Sequence, residues 1–131
     1  EGIASLAGIL TWAGRPQETV ELIKKAMRLN PLYPTEYLWN LGHAYYLMGR
    51  YEEAIEVLGR ARDRNPDYIP VQAYLTASYI ELGREADAGT AAAEFKRLSP
   101  RTPLTEWRHR LPYKDQMITE RLLVNLRKAG I

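Results

Sequence analysis

The sequence predicts an all-α protein built from three helix–turn–helix units and closed by a C-terminal helix. Two observations carry this. Residues 14–31, GRPQETVELIKKAMRLNP, recur as residues 49–66, GRYEEAIEVLGRARDRNP, at a spacing of 35, and a third Gly-Arg pair, Gly83-Arg84, follows at a spacing of 34. In front of each glycine lies a second stretch of helical period: IASLAGILTWAG, YLWNLGHAYYLMG and QAYLTASYIELG. A period of about 20–50 residues marks an array in which each unit buries its apolar face against its neighbours.

The elements follow in order. Unit one, 1–34, is read as N-terminally truncated, while units two, 35–68, and three, 69–102, are complete. The glycine of each unit supplies the turn. Asn30-Pro31, Asn65-Pro66 and Pro100 end the second helices, because proline cannot continue a helix and disfavours helix in the residue before it. Glu52 and Glu53 fall in a first helical turn, where carboxylates meet the positive end of the helix dipole. Small residues at Gly42, Ala54 and Ala61 let the two helices of a unit approach, and Leu41, Tyr45 and Leu58 are assigned to the space between neighbouring units. The remainder, 103–131, reads as a cap. Thr102 and Pro103 look like the N-cap and first position of a short helix that Pro112 stops. Asp115 then caps a last helix with the stripe Ile118, Leu122, Leu126 and Ala129, terminated at Gly130.

With 131 residues, 46% of them hydrophobic, the chain can build one domain around a continuous core. No run of about 18 uncharged apolar residues and no signal-peptide pattern occurs, so no membrane span is expected in it. The lack of cysteine removes disulfides and thiolate metal sites and agrees with a cytoplasmic location. A start at Glu1 rather than methionine is read as the mark of an excised fragment. The net charge of +2 hides an asymmetry: residues 1–95 carry 9 Lys/Arg against 13 Asp/Glu, and residues 96–131 carry 9 against 3.

In unit two, Leu38, Leu41, Gly42, Tyr45, Ala54, Leu58, Ala61 and Pro66 fill every signature offset of the tetratricopeptide pattern, with leucine in place of its aromatic residues at Leu38 and Leu58. Unit three fills it more loosely with Leu75, Thr76, Tyr79, Ala88, Ala92, Phe95 and Pro100, and departs from it at Gln72. Unit one offers Ile3, Leu6, Ala7, Leu10, Thr19, Ile23, Ala26 and Pro31. The chain therefore resembles three tetratricopeptide repeats over roughly residues 1–100. The resemblance implies a right-handed α–α superhelix, or solenoid. A second resemblance rests on PLYPTEYLWNLGHAYYLMGRYEEAIEVL, RNPDYIPVQAYLTASYIELGRE and, most distinctively, RLPYKDQMITERLLVNLRKAGI. These are similar to the C-terminal repeat region of bacterial class III adenylate/guanylate cyclases, which implies a cyclase domain upstream and a signalling parent. No cyclase catalytic residue lies in this chain.

Nothing here reads as an enzyme. His43 and His109 are the only histidines, no His-x-x-x-His, Glu-x-x-His or Gly-rich phosphate loop occurs, and no cofactor or metal is expected. A lone histidine without an orienting carboxylate is a weak acid–base candidate. The tetratricopeptide resemblance instead implies a concave groove for a protein or peptide, lined by the first helix of each repeat. Mapped here, the groove takes Glu36, Trp39, His43, Tyr46 and Leu47 from unit two. Unit one adds Ala4, Gly8, Thr11 and Trp12, and unit three adds Ala73, Ala77, Ile80 and Glu81. Trp39, His43 and Tyr46 share one helical face by spacing, and with Gly8, Ala73 and Ala77 around them the groove is expected to be roomy and apolar. One alternative has Trp39 and Tyr46 packing against neighbouring helices or the cap. The carboxylate clamp of chaperone-binding repeats is ruled out, because its cationic and amide positions hold Ala4, Gly8, Ala73 and Ala77.

The basic tail opens two further readings. Its charges spread around helices without stacking aromatics, which argues against nucleic acid. The other reading is a homo-oligomer, with the basic cap of one copy on the acidic body of another, or a structural tail with no separate ligand.

Overall fold

The computed structural model describes residues 2–101 and 103–131, which form eight helices and no strand. They are α1 (Gly2–Trp12), α2 (Pro16–Leu29), α3 (Thr35–Leu47), α4 (Tyr51–Arg64), α5 (Ile69–Glu81), α6 (Glu85–Leu98), α7 (Leu104–Arg110) and α8 (Gln116–Lys128). Each of the first five helices packs on the next, and α1, α3 and α5 also touch in succession. This makes a solenoid with α1, α3 and α5 on the inner face and α2, α4 and α6 on the outer.

The repeated Gly-Arg pair has a definite task. Gly14, Gly49 and Gly83 take φ of +84°, +75° and +74°, a left-handed conformation that only glycine adopts without penalty. That conformation turns each following amide back onto a helix-end carbonyl: Arg15 to Leu10 at 2.8 Å, Arg50 to Tyr45 at 2.9 Å and Arg84 to Tyr79 at 2.9 Å. Each arginine then pairs with the acid three residues on: Glu18 at 2.6 Å, Glu53 at 2.5 Å and Asp87 at 2.9 Å. Glu53 therefore answers Arg50 as well as the dipole of α4. These exposed pairs add little stability, so the geometry of the turn matters more than its charge.

The α3–α4 contact is the tightest. A Cβ on Gly42 would lie 2.4 Å from Leu58 Cδ2 and 3.2 Å from Val57 Cγ2, which explains the glycine. Leu58, fully buried, thus also fills space within its own unit, against Gly42, and not only between units as the spacing suggested. In unit one, Ile3 and Leu6 occupy the positions of Leu38 and Leu41 but are 37% and 47% exposed, since among the described residues no helix covers that side of α1.

The cap differs from its expected form in two ways. Pro103 stands at the N-cap of α7 rather than inside the helix, and Thr102 lies outside the described residues. The second difference is in α8, which buries Thr119, Leu122, Leu123, Asn125 and Leu126, leaving Ile118 and Ala129 only half-buried. The buried stripe is rotated because α8 lies along the inner helix α5. The end of the array is met by α7, whose Trp107 packs on Phe95 of α6 with ring centroids 5.3 Å apart. The expected boundaries of α8 hold: Asp115 accepts the Met117 N–H at 2.9 Å, and Gly130, at φ +96°, lets the Ile131 N–H reach the Leu126 carbonyl at 3.1 Å.

Candidate functional site

The inner face is an aromatic cluster. Trp39 stacks on His43 at 4.7 Å, as expected for residues four apart on one helix face. Tyr74 of α5 then meets Trp39 at 5.2 Å, His43 at 4.9 Å and Tyr46 at 5.2 Å, each edge to face. Trp12 of α1 reaches His43 at 4.7 Å from the other side. Edge-to-face rings at such distances favour one another beyond the area they bury.

The last ring comes from the connector between α7 and α8. Tyr113, 2% exposed, lies 4.5 Å from Trp12 and 5.6 Å from His43. Its hydroxyl bonds both the Tyr74 hydroxyl, at 2.5 Å, and His43 Nε2. A phenol can donate to one neighbour while accepting from the other, so this buried polar chain is satisfied. Beside it the Lys114 N–H donates to the Trp12 carbonyl at 3.4 Å. That carbonyl belongs to the last turn of α1, where helix carbonyls lack internal partners.

Burial sets the electrostatics of the cluster. Burial holds the His43 imidazole down to about 3, so it is neutral at neutral pH. Burial pushes the Tyr46, Tyr74 and Tyr113 hydroxyls well above the ordinary phenol range. At the rim, Glu81 accepts from Arg121 at 2.5 Å and from Asn125 at 2.8 Å, and the Arg121 bond holds its carboxyl below the usual range. Asn125 also donates to the Tyr46 hydroxyl at 3.4 Å, tying α8 to both α3 and α5.

The expected groove residues separate accordingly. His43, Tyr46, Ala73, Ala77 and Thr11 are buried. Trp12, Trp39, Leu47, Ile80, Glu81, Ala4 and Gly8 are half-buried, and Glu36 is exposed. The face is therefore not roomy at Ala73 and Ala77, which are fully buried on α5 with α8 packed along that helix. What stays open is a cavity of about 430 Å³ at the mouth of the groove, lined by Trp12, Trp39, Tyr68, Ile69, Pro70, Tyr74, Trp107, Arg110 and Leu111. Among the described residues, no three His, Asp or Glu side chains converge as metal ligands would.

Two central residues escaped the sequence reading. Tyr74 aligns with Asn40, a position outside the expected groove set. Asn40 Nδ2 donates to the Ala4 carbonyl at 3.3 Å, so this position points back at the preceding unit's first helix, as Tyr74 does toward α3. Tyr113 carried no periodic signal at all, standing outside any helix between Pro112 and Lys114.

A tetratricopeptide repeat family model matches residues 10–78 and 45–101. The chain belongs to the tetratricopeptide repeat family. No curated protein sequence matches it significantly. Among solved structures, the tetratricopeptide chain is similar to the Yersinia enterocolitica type III secretion chaperone SycD in complex with a peptide of the translocator YopD. That likeness has a TM-score of 0.72 at 17% identity, over 100% of this chain and 94% of that one. It is also similar to MamA, with a TM-score of 0.71 at 22% identity, over 97% of this chain and 74% of that one. At such identities the likeness is one of fold. Among the described residues, no helix of the tetratricopeptide chain is long and apolar enough to cross a membrane.

Proposed function

We propose that this chain is a non-catalytic protein-interaction module that takes a peptide on its concave face. It would serve as the C-terminal regulatory or scaffolding part of a larger bacterial signalling protein such as a class III adenylate/guanylate cyclase. The units of that reading are the repeats 1–34, 35–68 and 69–102 and the capping segment 103–131. The observation that carries the binding role is the open aromatic cavity at the groove mouth, where Trp39 and Tyr68 stand edge to face at 5.8 Å and Arg110 offers a positive charge, with Glu36 lining a smaller hollow on Trp39 and Tyr68 beside it. Half-buried tryptophan and tyrosine are the residues most often found as interface anchors, because they add large apolar area with little conformational freedom to lose. The SycD structure holding a translocator peptide adds support by analogy of fold alone. The cyclase parentage is supported by the LPYKD and LRKAG stretches of the cap.

The test is a peptide-library selection on the intact chain, followed by tryptophan-fluorescence titration of the selected peptides. Trp39→Ala is expected to weaken binding by about 2 kcal/mol, roughly thirtyfold. Affinity unchanged by that substitution removes the groove from the reading.

A self-associating tail is the second reading, favoured by α1. This helix carries no charged residue from Gly2 to Trp12 and leaves Leu6 and Ile9 47% and 65% exposed. The electrostatic version of self-association loses ground, since Arg108 and Arg121 pair with Glu120 and Glu81 of their own chain.

A further inference from the structure

The concave face already holds a peptide, its own. From Leu111, with φ −87° and ψ 114°, to Asp115, with φ −94° and ψ 108°, the connector begins and ends extended. It makes the contacts that an extended ligand would make. Its backbone N–H at Lys114 takes the spare carbonyl at the end of α1, and its side chain at Tyr113 enters the ring cluster and bonds the Tyr74 hydroxyl and His43 Nε2 there. The contacts join residues 39 and 70 positions apart, so they tether the tail to the array without forming part of any repeat. Beyond it, α8 is fixed at its rim by Arg121 and Asn125 on Glu81. Helices α1 to α6 pack on one another in sequence without passing through this segment.

We infer that segment 111–115 is an intramolecular stand-in for the ligand of this groove. The partner's binding segment is an extended peptide that presents a tyrosine directly after a proline, and it must displace Tyr113 to bind. Three features set this chemistry. The slot between Trp12, His43 and Tyr74 accepts a flat ring. Neutral His43 and the Tyr74 hydroxyl require a hydroxyl that both donates and accepts, since either one left bare in so dry a place is costly. Pro112 holds the chain extended ahead of the ring, which lowers the ordering entropy of any segment docked there. The inference rests on the groove reading proposed above and adds to it the ligand class and the cause of its occlusion.

The test uses the intact chain and a fluorescein-labelled peptide of residues 109–116, HRLPYKDQ, as probe. Tyr113→Ala is expected to bind the probe at least roughly tenfold more tightly than the wild type, whose own tyrosine competes. The same probe with phenylalanine in place of its tyrosine should bind Tyr113→Ala roughly tenfold more weakly, through loss of the two hydroxyl bonds. Equal probe affinity for wild type and Tyr113→Ala, or equal affinity of the two probes, overturns the inference. If Tyr113→Ala loses cooperative unfolding, the comparison moves to Tyr113→Phe, which keeps the ring and must still bind the probe more tightly than wild type; equality there overturns it as well. Sedimentation velocity adds a check on the occupant: a dimer that Tyr113→Ala dissolves would assign the segment to a second copy and overturn the intramolecular claim. The two levels separate cleanly. A library peptide that depends on Trp39 yet binds wild type and Tyr113→Ala alike sinks this inference alone, whereas the absence of any Trp39-dependent peptide sinks the groove reading itself.

Discussion

Leu58→Ala is expected to lower the unfolding free energy by about 2–5 kcal/mol, read as a shift of the urea midpoint at unchanged slope. The side chain is fully buried, and it stands where Gly42 lets α3 and α4 approach. Truncation removes three carbons, Cγ and both Cδ, and the glycine opposite has no side chain to swing into the gap. The cost therefore includes a cavity term as well as lost transfer energy, placing it toward the upper part of the range. A loss below about 1 kcal/mol would show that α3 and α4 collapse onto the gap and that the close approach is not held by this pair.

Acidification gives the second large effect, and His43 is its source. The ordinary imidazole value is 6.5 and burial lowers it to about 3 in the folded chain, so between those values the unfolded state binds the extra proton. Stability from this group is complete above pH 6.5 and falls as pH drops toward 3, by about 1.4 kcal/mol per pH unit. The rings packed around it are Trp12 from α1, Trp39 from α3, Tyr74 from α5 and Tyr113 from the connector, and none of them is a carboxylate that would stabilise the cation. Glu18, Glu53, Glu81 and Glu120 are also lowered, each chiefly by its arginine, but their stability is lost only as pH falls below their ordinary 4.5. The interval from 6.5 to 4.5 thus isolates the histidine. Between pH 7 and pH 5 the wild type should lose about 2 kcal/mol, and His43→Gln should lose much less. Parallel pH profiles for the two proteins would mean that His43 titrates normally and that the cluster admits water.

How far the sequence discloses this molecule depends on the range of the interactions concerned. Gly14, Gly49 and Gly83, the arginine after each and the acid three residues later are all fixed by contacts within one turn, so a linear pattern displays them. Asn30 and Asn65 end their helices for the same local reason. Gly42 and Leu58 are 16 positions apart but bound by the repeat, which the tetratricopeptide offsets encode. The groove is different. Alanine at 73 and 77 reads as empty space along a single helix, whereas the space is decided by what another segment places there. Tyr113 reaches Tyr74 and His43 across 39 and 70 residues from a non-helical connector, and no periodicity marks such a contact. Trp39 and His43 are legible as a shared face, and packing of Trp39 on a neighbouring helix stands among the sequence readings, but Tyr74 as the ring that meets them does not, because it stands at a position that the middle repeat fills with the smaller Asn40.

The claim at the centre of this account is that the chain closes its own concave face with Tyr113. Nuclear Overhauser contacts from the Tyr113 ring test it most directly, measured on a uniformly labelled sample and on an equal mixture of labelled and unlabelled chains. The account predicts contacts from Tyr113 to the Trp12 and His43 rings within one labelled molecule, and none between labelled and unlabelled chains. A Tyr113 ring without contacts to either residue, or with contacts only between chains, would contradict it.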